Sequence, residues 1–192
     1  LFNNLAAGSY TTFIRNADGT CAVIGQTVVI EDKVPATILN VASTDPTECG
    51  ISDGTITIIA NSSVGNSLEY SIDGGTTYQA SNVFSALDAS NNPYEIRVRN
   101  ADGTCIVSST DVTLTDKVQP IITTVMTGDP NDCNNPNGFI EITATGASLE
   151  YSIDGGVNWQ PGNIFTGLGA GTYNVVVRNL DGSCETPDVN NP

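Results

Sequence analysis

The stretch Leu68-Glu-Tyr-Ser-Ile-Asp-Gly-Gly-Thr-Thr-Tyr-Gln79 returns as Leu149-Glu-Tyr-Ser-Ile-Asp-Gly-Gly-Val-Asn-Trp-Gln160. A chain that repeats itself this closely is built of units, and its fold must be sought within one period. Tyr70 and Tyr151 mark the same place in the two copies, and the flanking residues recur at nearly the same interval. Leu, Tyr and Ile alternate with polar residues, the period of a half-buried strand. Asp-Gly-Gly then supplies residues that tolerate positive φ, as a tight hairpin turn requires. Thr-Thr-Tyr-Gln or Val-Asn-Trp-Gln begins a returning strand, so the repeated element reads as a β-hairpin.

The rest of the chain falls into register with it. Leu1-Phe2-Asn3-Asn4-Leu5-Ala-Ala-Gly-Ser-Tyr10 aligns with Ile164-Phe165-Thr166-Gly167-Leu168-Gly-Ala-Gly-Thr-Tyr173. In the middle copy, Val83-Phe84-Ser85-Ala86-Leu87 reaches Tyr94 through a loop two residues longer. An alternating strand follows each tyrosine, with Tyr94, Ile96 and Val98, or Tyr173, Val175 and Val177, on one face. Asn-x-Asp-Gly-x-Cys then turns the chain. Asp32-Lys33-Val34 and Asp116-Lys117-Val118 mark the junctions. Residues 1–33 are thus the C-terminal part of a repeat, 34–117 a full repeat, and 118–192 a full repeat whose final strand is incomplete.

Each full repeat opens with an apolar strand (Ile38 to Val41, Ile121 to Val125) and a loop rich in Pro, Asp and Asn. Thr55-Ile56-Thr57-Ile58 and Phe139-Ile140-Glu141-Ile142 supply the next alternating strand. About seven short strands per repeat, turn signals roughly every 8–12 residues and no helical period indicate an all-β chain. The expected fold is a tandem of immunoglobulin-like antiparallel β-sandwiches. A propeller blade is about half this length, and a parallel β-helix has far shorter repeats.

The run from Tyr-Ser-Ile-Asp-Gly-Gly, through Phe-x-x-Leu-x-Ala-Gly-x-Tyr, to Val-Arg-Asn-x-Asp-Gly-x-Cys resembles the SprB-type repeat. Such repeats stand in tandem in very large surface adhesins of Bacteroidetes, including gliding-motility adhesins. The resemblance covers both full repeats and the partial one. It implies cell-surface export by the type IX system and a role in adhesion or as a stalk. It implies no particular ligand.

Charge narrows the function classes. With six basic and 21 acidic residues the net charge is −15, which argues against a nucleic-acid-binding surface. No apolar run approaches the length of a membrane span. The chain has no histidine, the commonest general base and metal ligand. No signal peptide is visible and the chain begins with Leu, so it reads as a mature fragment of a longer protein.

Five cysteines stand at positions 21, 49, 105, 133 and 184, and none belongs to a Cys-x-x-Cys pair. Cys21, Cys105 and Cys184 each lie 11 residues after a tyrosine and follow an Asp-Gly turn, whereas Cys49 and Cys133 each precede a strand. Regular placement, with Lys and Arg scarce, fits disulfides in an oxidising extracellular setting. The odd count follows if a fragment boundary cuts a repeat. Three pairings are open: Cys49–Cys105 with Cys133–Cys184 inside repeats; Cys49–Cys184 across a junction; and Cys21–Cys49 with Cys105–Cys133. Sandwich topology argues against the first, because the opening loop and the last hairpin usually lie at opposite ends. The second would join facing ends, and the third rests on an equal interval.

Ser152-Ile-Asp154-Gly-Gly156-Val-Asn-Trp159 also looks like the Asp-box of sialidases, a structural hairpin without catalytic residues. Arg15, Arg99 and Arg178 hold one repeated strand position, five after the tyrosine, so they recur between repeats and do not converge as a sialidase would require. No enzyme is expected. The Asp-Gly turns allow calcium at the junctions, through Asp32 and Asp116 with the loop carboxylates Asp45, Asp53, Asp129 and Asp132. Turn chemistry alone accounts for the same residues, and no cofactor is otherwise expected. Tyr78 and Trp159 occupy equivalent positions and would either stack on a surface glycan or cover the edge of the core. Finally, residues 1–33 supply three strands with one uncovered apolar face. Cys184 to Pro192 lacks apolar alternation, and Pro187 removes a ladder donor. Neighbouring copies or adjoining repeats, joined head to tail, are the expected partners.

Overall fold

The computed structural model describes residues 1–62, 65–131 and 135–192. It is all-β, built from antiparallel sheets, with no α-helix among the described residues. Among the described residues, fourteen strands follow one another. They are β1 (Gly8–Ile14), β2 (Val23–Ile30), β3 (Thr37–Thr44), β4 (Gly54–Asn61), β5 (Leu68–Ser71), β6 (Val83–Leu87) and β7 (Arg97–Asn100). Then come β8 (Val107–Ser108), β9 (Ile121–Gly128), β10 (Gly138–Thr145), β11 (Leu149–Ser152), β12 (Ile164–Leu168), β13 (Val176–Asn179) and β14 (Thr186–Pro187). The sheets are β1-β2, β3-β4-β6, β5-β7-β8, β12-β10-β9 and β11-β13-β14.

Among the described residues, each full repeat yields the same pair of three-stranded sheets, six strands where about seven were expected. The missing strand is the return after Asp-Gly-Gly. Tyr70 and Gln79 exchange two backbone hydrogen bonds of 2.8 and 2.9 Å, but the pairing stops at this one bridge. The chain then leaves for the other sheet, so the repeated hairpin is a turn with a single rung. Residues 1–33 hold two strands, not three, because residues 1–5 lie outside β1.

The chain forms two compact units. One comprises Leu1–Val41, Ile58–Asn82 and Glu95–Thr110; the other comprises Ala42–Thr57, Val83–Tyr94 and Asp111–Pro192. In the second, both sheets of the last repeat share one core. Ile140 and Ile142 from β10 meet Val175 and Val177 from the β13 segment, flanked by Ile122, Val125, Leu149, Tyr151, Phe165 and Leu168. The strict alternation of β10 places Gly138, Ile140 and Ile142 inward. Each fully buried aliphatic side chain contributes about 1.5–3 kcal/mol. Ile153, like Tyr151, is half-buried instead of fully buried, and so are Tyr70 and Ile72. These residues stand on or just beyond the short edge strands β5 and β11, which have only one sheet neighbour each.

Gly138 sits at a register shift between β10 and β12, and Gly54 at the matching shift between β4 and β6. A Cβ on Gly138 would lie 2.9 Å from the Leu168 carbonyl oxygen and 3.0 Å from that of Gly128, so only glycine fits. The tyrosine of each repeat also has a fixed role. Tyr10, Tyr94 and Tyr173 donate their hydroxyls to the carbonyls of Ala6, Asp88 and Gly169 at 2.8, 2.7 and 2.9 Å. The longer middle loop is taken up by a 3-10 turn over Ala89–Asn91, capped by Asp88 accepting from the Ser90 N–H at 2.9 Å. The latch closes regardless of loop length.

Candidate functional site

The elements that recur with the least change are the closing turns, Asn16 to Cys21, Asn100 to Cys105 and Asn179 to Cys184. In each, the asparagine N–H donates to the carbonyl four residues on, at 3.0 Å, and the glycine N–H returns to the asparagine carbonyl at 2.8–2.9 Å. The aspartate accepts from the N–H two residues on, at 2.9, 3.1 and 3.1 Å. The cysteine follows in the left-handed region, at φ 52, 57 and 60°. Holding a non-glycine residue there costs of order 1 kcal/mol, and the turn's hydrogen bonds offset it.

What docks on the turn differs. At the third turn, Cys184 is bonded to Cys49, with Cα atoms 5.3 Å apart. The Cys184 N–H also donates to the Glu48 carboxylate at 2.7 Å. Cys49 is held by its own loop, in which Asp53 accepts from the Thr47 N–H at 2.8 Å and the Thr47 hydroxyl at 2.5 Å. Lys117 reaches Asp181 at 2.5 Å. That ion pair holds Asp181 well below the carboxylate range and raises Lys117, to which Asp45 and Glu48 add smaller attractions. Ser183 and Cys184 are buried as a result, at 4% and 3% exposure.

Of the three pairings, the structure therefore contains the one across the junction, tying the opening loop of the second repeat to the closing turn of the third. Cys49–Cys105, Cys133–Cys184 and Cys21–Cys49 are excluded because Cys49 and Cys184 hold each other. Cys21 is an exposed free thiol and Cys105 a half-buried one, although their regular placement led to the expectation of disulfides. Cys133 lies outside the described residues, as does Asp132.

The aromatic positions are engaged by arginine. The Arg99 guanidinium lies 3.7 Å from the centre of the Tyr78 ring, and that of Arg178 lies 3.9 Å from the Trp159 ring. Glu69 and Glu150 pin these arginines at 2.7 and 3.0 Å. The Trp159 indole N–H donates to the Gly156 carbonyl at 2.8 Å. Arg99 and Arg178, with Arg97, are half-buried because their planar heads spread over a ring or backbone. One face of each ring is thus already covered.

Three of the carboxylates proposed for calcium, Asp45, Asp53 and Asp116, serve the backbone. Asp116 accepts from the Ala89 N–H and Asp45 from the Thr115 N–H, both at 2.9 Å. Asp32 and Asp129 are exposed loop residues. Among the described residues, no three Asp, Glu or Cys side chains are grouped to hold a metal. In the Asp-Gly-Gly turns, burial opposes ionisation of Asp73, yet hydrogen bonds from Thr77, Ser71 and Thr76 outweigh it and bring its pKa to about 2. Asp154 also reaches about 2, mainly through the Asn158 N–H and side-chain amide, then Ser152.

Sequence reasoning missed Glu48 and the lysine–aspartate pairs, Lys33 with Asp102 and Lys117 with Asp181. The recurrence of Asp-Lys-Val beside Asn-x-Asp-Gly-x-Cys was a visible signal for the pairs. Nothing in the sequence marked Glu48.

No protein-family model matches the chain, and no curated protein matches it. Among the described residues, no helix is long and apolar enough to cross a membrane.

Proposed function

We propose that the chain is a structural, adhesive segment of an extracellular surface protein or filament, made of SprB-type immunoglobulin-like sandwiches that join in series. Its task is mechanical: each unit leans on its neighbours, and length grows with copy number. The observation that carries the reading is the Cys49–Cys184 bond, which ties one repeat to the next in sequence across a separation of 135 residues. A covalent tie of this kind suits a load-bearing array in an oxidising setting.

Association with like units is the second half of the reading. Phe13, Ile14, Val23, Ile24, Val28 and Val29 of the β1-β2 hairpin are each at least half exposed. Such a surface favours β-strand addition from a neighbour. Sedimentation velocity of the recombinant chain across concentration tests this. Concentration-dependent, end-to-end association is expected. A monomer at every dilution that protects residues 1–33 from proteolysis overturns it.

A further inference from the structure

We propose that the closing turn of Cys105 is a covalent socket for an acidic, thiol-bearing loop of the Asp45-Pro-Thr-Glu-Cys49 type, contributed by another polypeptide segment. The proposal rests on the reading of the repeats as units joined in series, and it names the chemistry of the joint. The filled form of the socket is visible in the same molecule. The turns of Cys184 and Cys105 share their backbone hydrogen bonds, their cysteine φ and their carboxylate-to-N–H bond. Both have a lysine from the preceding junction on the turn aspartate, Lys117 on Asp181 and Lys33 on Asp102. The asparagine amide of each turn donates to the carbonyl of the following valine, Val118 or Val34, at 3.1 and 3.2 Å.

Only the occupant differs. Glu48 and Cys49 bury Ser183 and Cys184, whereas Thr104 and Cys105 remain half-exposed. Lys117 has Asp45 and Glu48 near it in addition to Asp181, whereas Lys33 has Asp102 and the Cys105 sulfur. A loop bringing two carboxylates and a thiol would complete both the charge and the bond. Cys21 provides an internal contrast. Its turn has the same hydrogen bonds, but no lysine pairs with Asp18 among the described residues.

The bond forms by oxidation of two thiols. Each loses one proton and one electron, and oxidised glutathione takes up the pair of electrons and leaves as two glutathione thiols. The test uses the full chain in a glutathione redox buffer with a capped synthetic peptide of residues 45–54. A second peptide carries Asp45→Asn and Glu48→Gln. Mixed disulfides at Cys105 and Cys21 are quantified by peptide mapping. At low salt the unsubstituted peptide should occupy Cys105 about fivefold more than the doubly substituted one. The preference should vanish in 1 M salt and in the Lys33→Gln chain, and Cys21 should show none. Equal occupancy of Cys105 by both peptides, or the same preference at Cys21, overturns the socket. Sedimentation of the untreated chain separately decides whether the units associate, so the two failures are distinguishable.

Discussion

The first and the last closing segments are nearly the same peptide in two settings. Tyr10-Thr-Thr-Phe-Ile-Arg-Asn and Tyr173-Asn-Val-Val-Val-Arg-Asn align without a gap and end in the same turn. Ile14 is 75% exposed, whereas its counterpart Val177 is fully buried. The hairpin of β1 and β2 pairs over most of its length, seven and eight residues, while β13 and β14 span four and two. Regular pairing is thus greatest where tertiary packing is least. In the last repeat, the core and the Cys49 bond hold a segment whose ladder is interrupted by Pro187. The turn is a local property of Asn-x-Asp-Gly-x-Cys; burial is conferred by what covers it.

The sharpest way to separate the two segments is through their cysteines. Replacing Cys49 and Cys184 by serine should lower the unfolding free energy by about 4 kcal/mol, since the bond closes a loop of more than 100 residues. Replacing Cys21 and Cys105 should change it by less than about 0.5 kcal/mol. Urea denaturation of both double variants checks this, and equal midpoints would break the comparison.

The next effect is in packing. Val177→Ala should cost about 2 kcal/mol, because its site is closed on all sides, while Ile14→Ala should cost less than about 0.5 kcal/mol in dilute monomer. If Ile14→Ala costs as much as Val177→Ala at low concentration, the hairpin face is covered after all.

Gly156→Ala should cost about 1 kcal/mol or more. Its φ is 89°, and a Cβ would stand 3.2 Å from the Trp159 ring. At Gly19, in the first closing turn, φ is 87° but nothing lies within 4 Å, so Gly19→Ala isolates the backbone penalty from the contact. Thermal denaturation of the two variants measures the difference.

The smallest effect is expected from pH. Asp73 and Asp154 have pKa values of about 2 in the folded chain against 3.8 ordinarily. The folded state therefore favours their ionised forms. Their contribution is complete above the unfolded pKa and is lost as pH falls from about 4 through 2. Stability should be flat above pH 5 and decline below 4, with a shallower decline in Asp154→Asn. Urea midpoints at pH 5, 3 and 2 provide the check.

The strands were legible because their alternation is written residue by residue. Ile96 and Val98, like Val175 and Val177, were expected to share one face, and they are buried. The closing turns were legible for the same local reason. The aromatic return strand was not: a single rung between Tyr70 and Gln79 and a full hairpin begin with the same residues. What ended the pairing was the departure of the chain to another sheet. For the arginines, alternation records only which way a side chain leaves the strand. It does not record that a long planar head folds back over Tyr78 or Trp159. The cysteine pairing stayed open because spacing along a repeat is blind to which repeat supplies the partner.

The tyrosine latch has a consequence for how such a chain changes by inheritance. The hydroxyl grips whichever carbonyl opens the loop, so the residues between that carbonyl and the ring are free of any duty in the strands. Codons inserted between Leu87 and Tyr94 lengthen a surface excursion and leave the framework intact, as the extra residues of the middle copy already do. Duplicated units therefore have a built-in place to diverge, where new surfaces can arise without selection having to repair the fold around them.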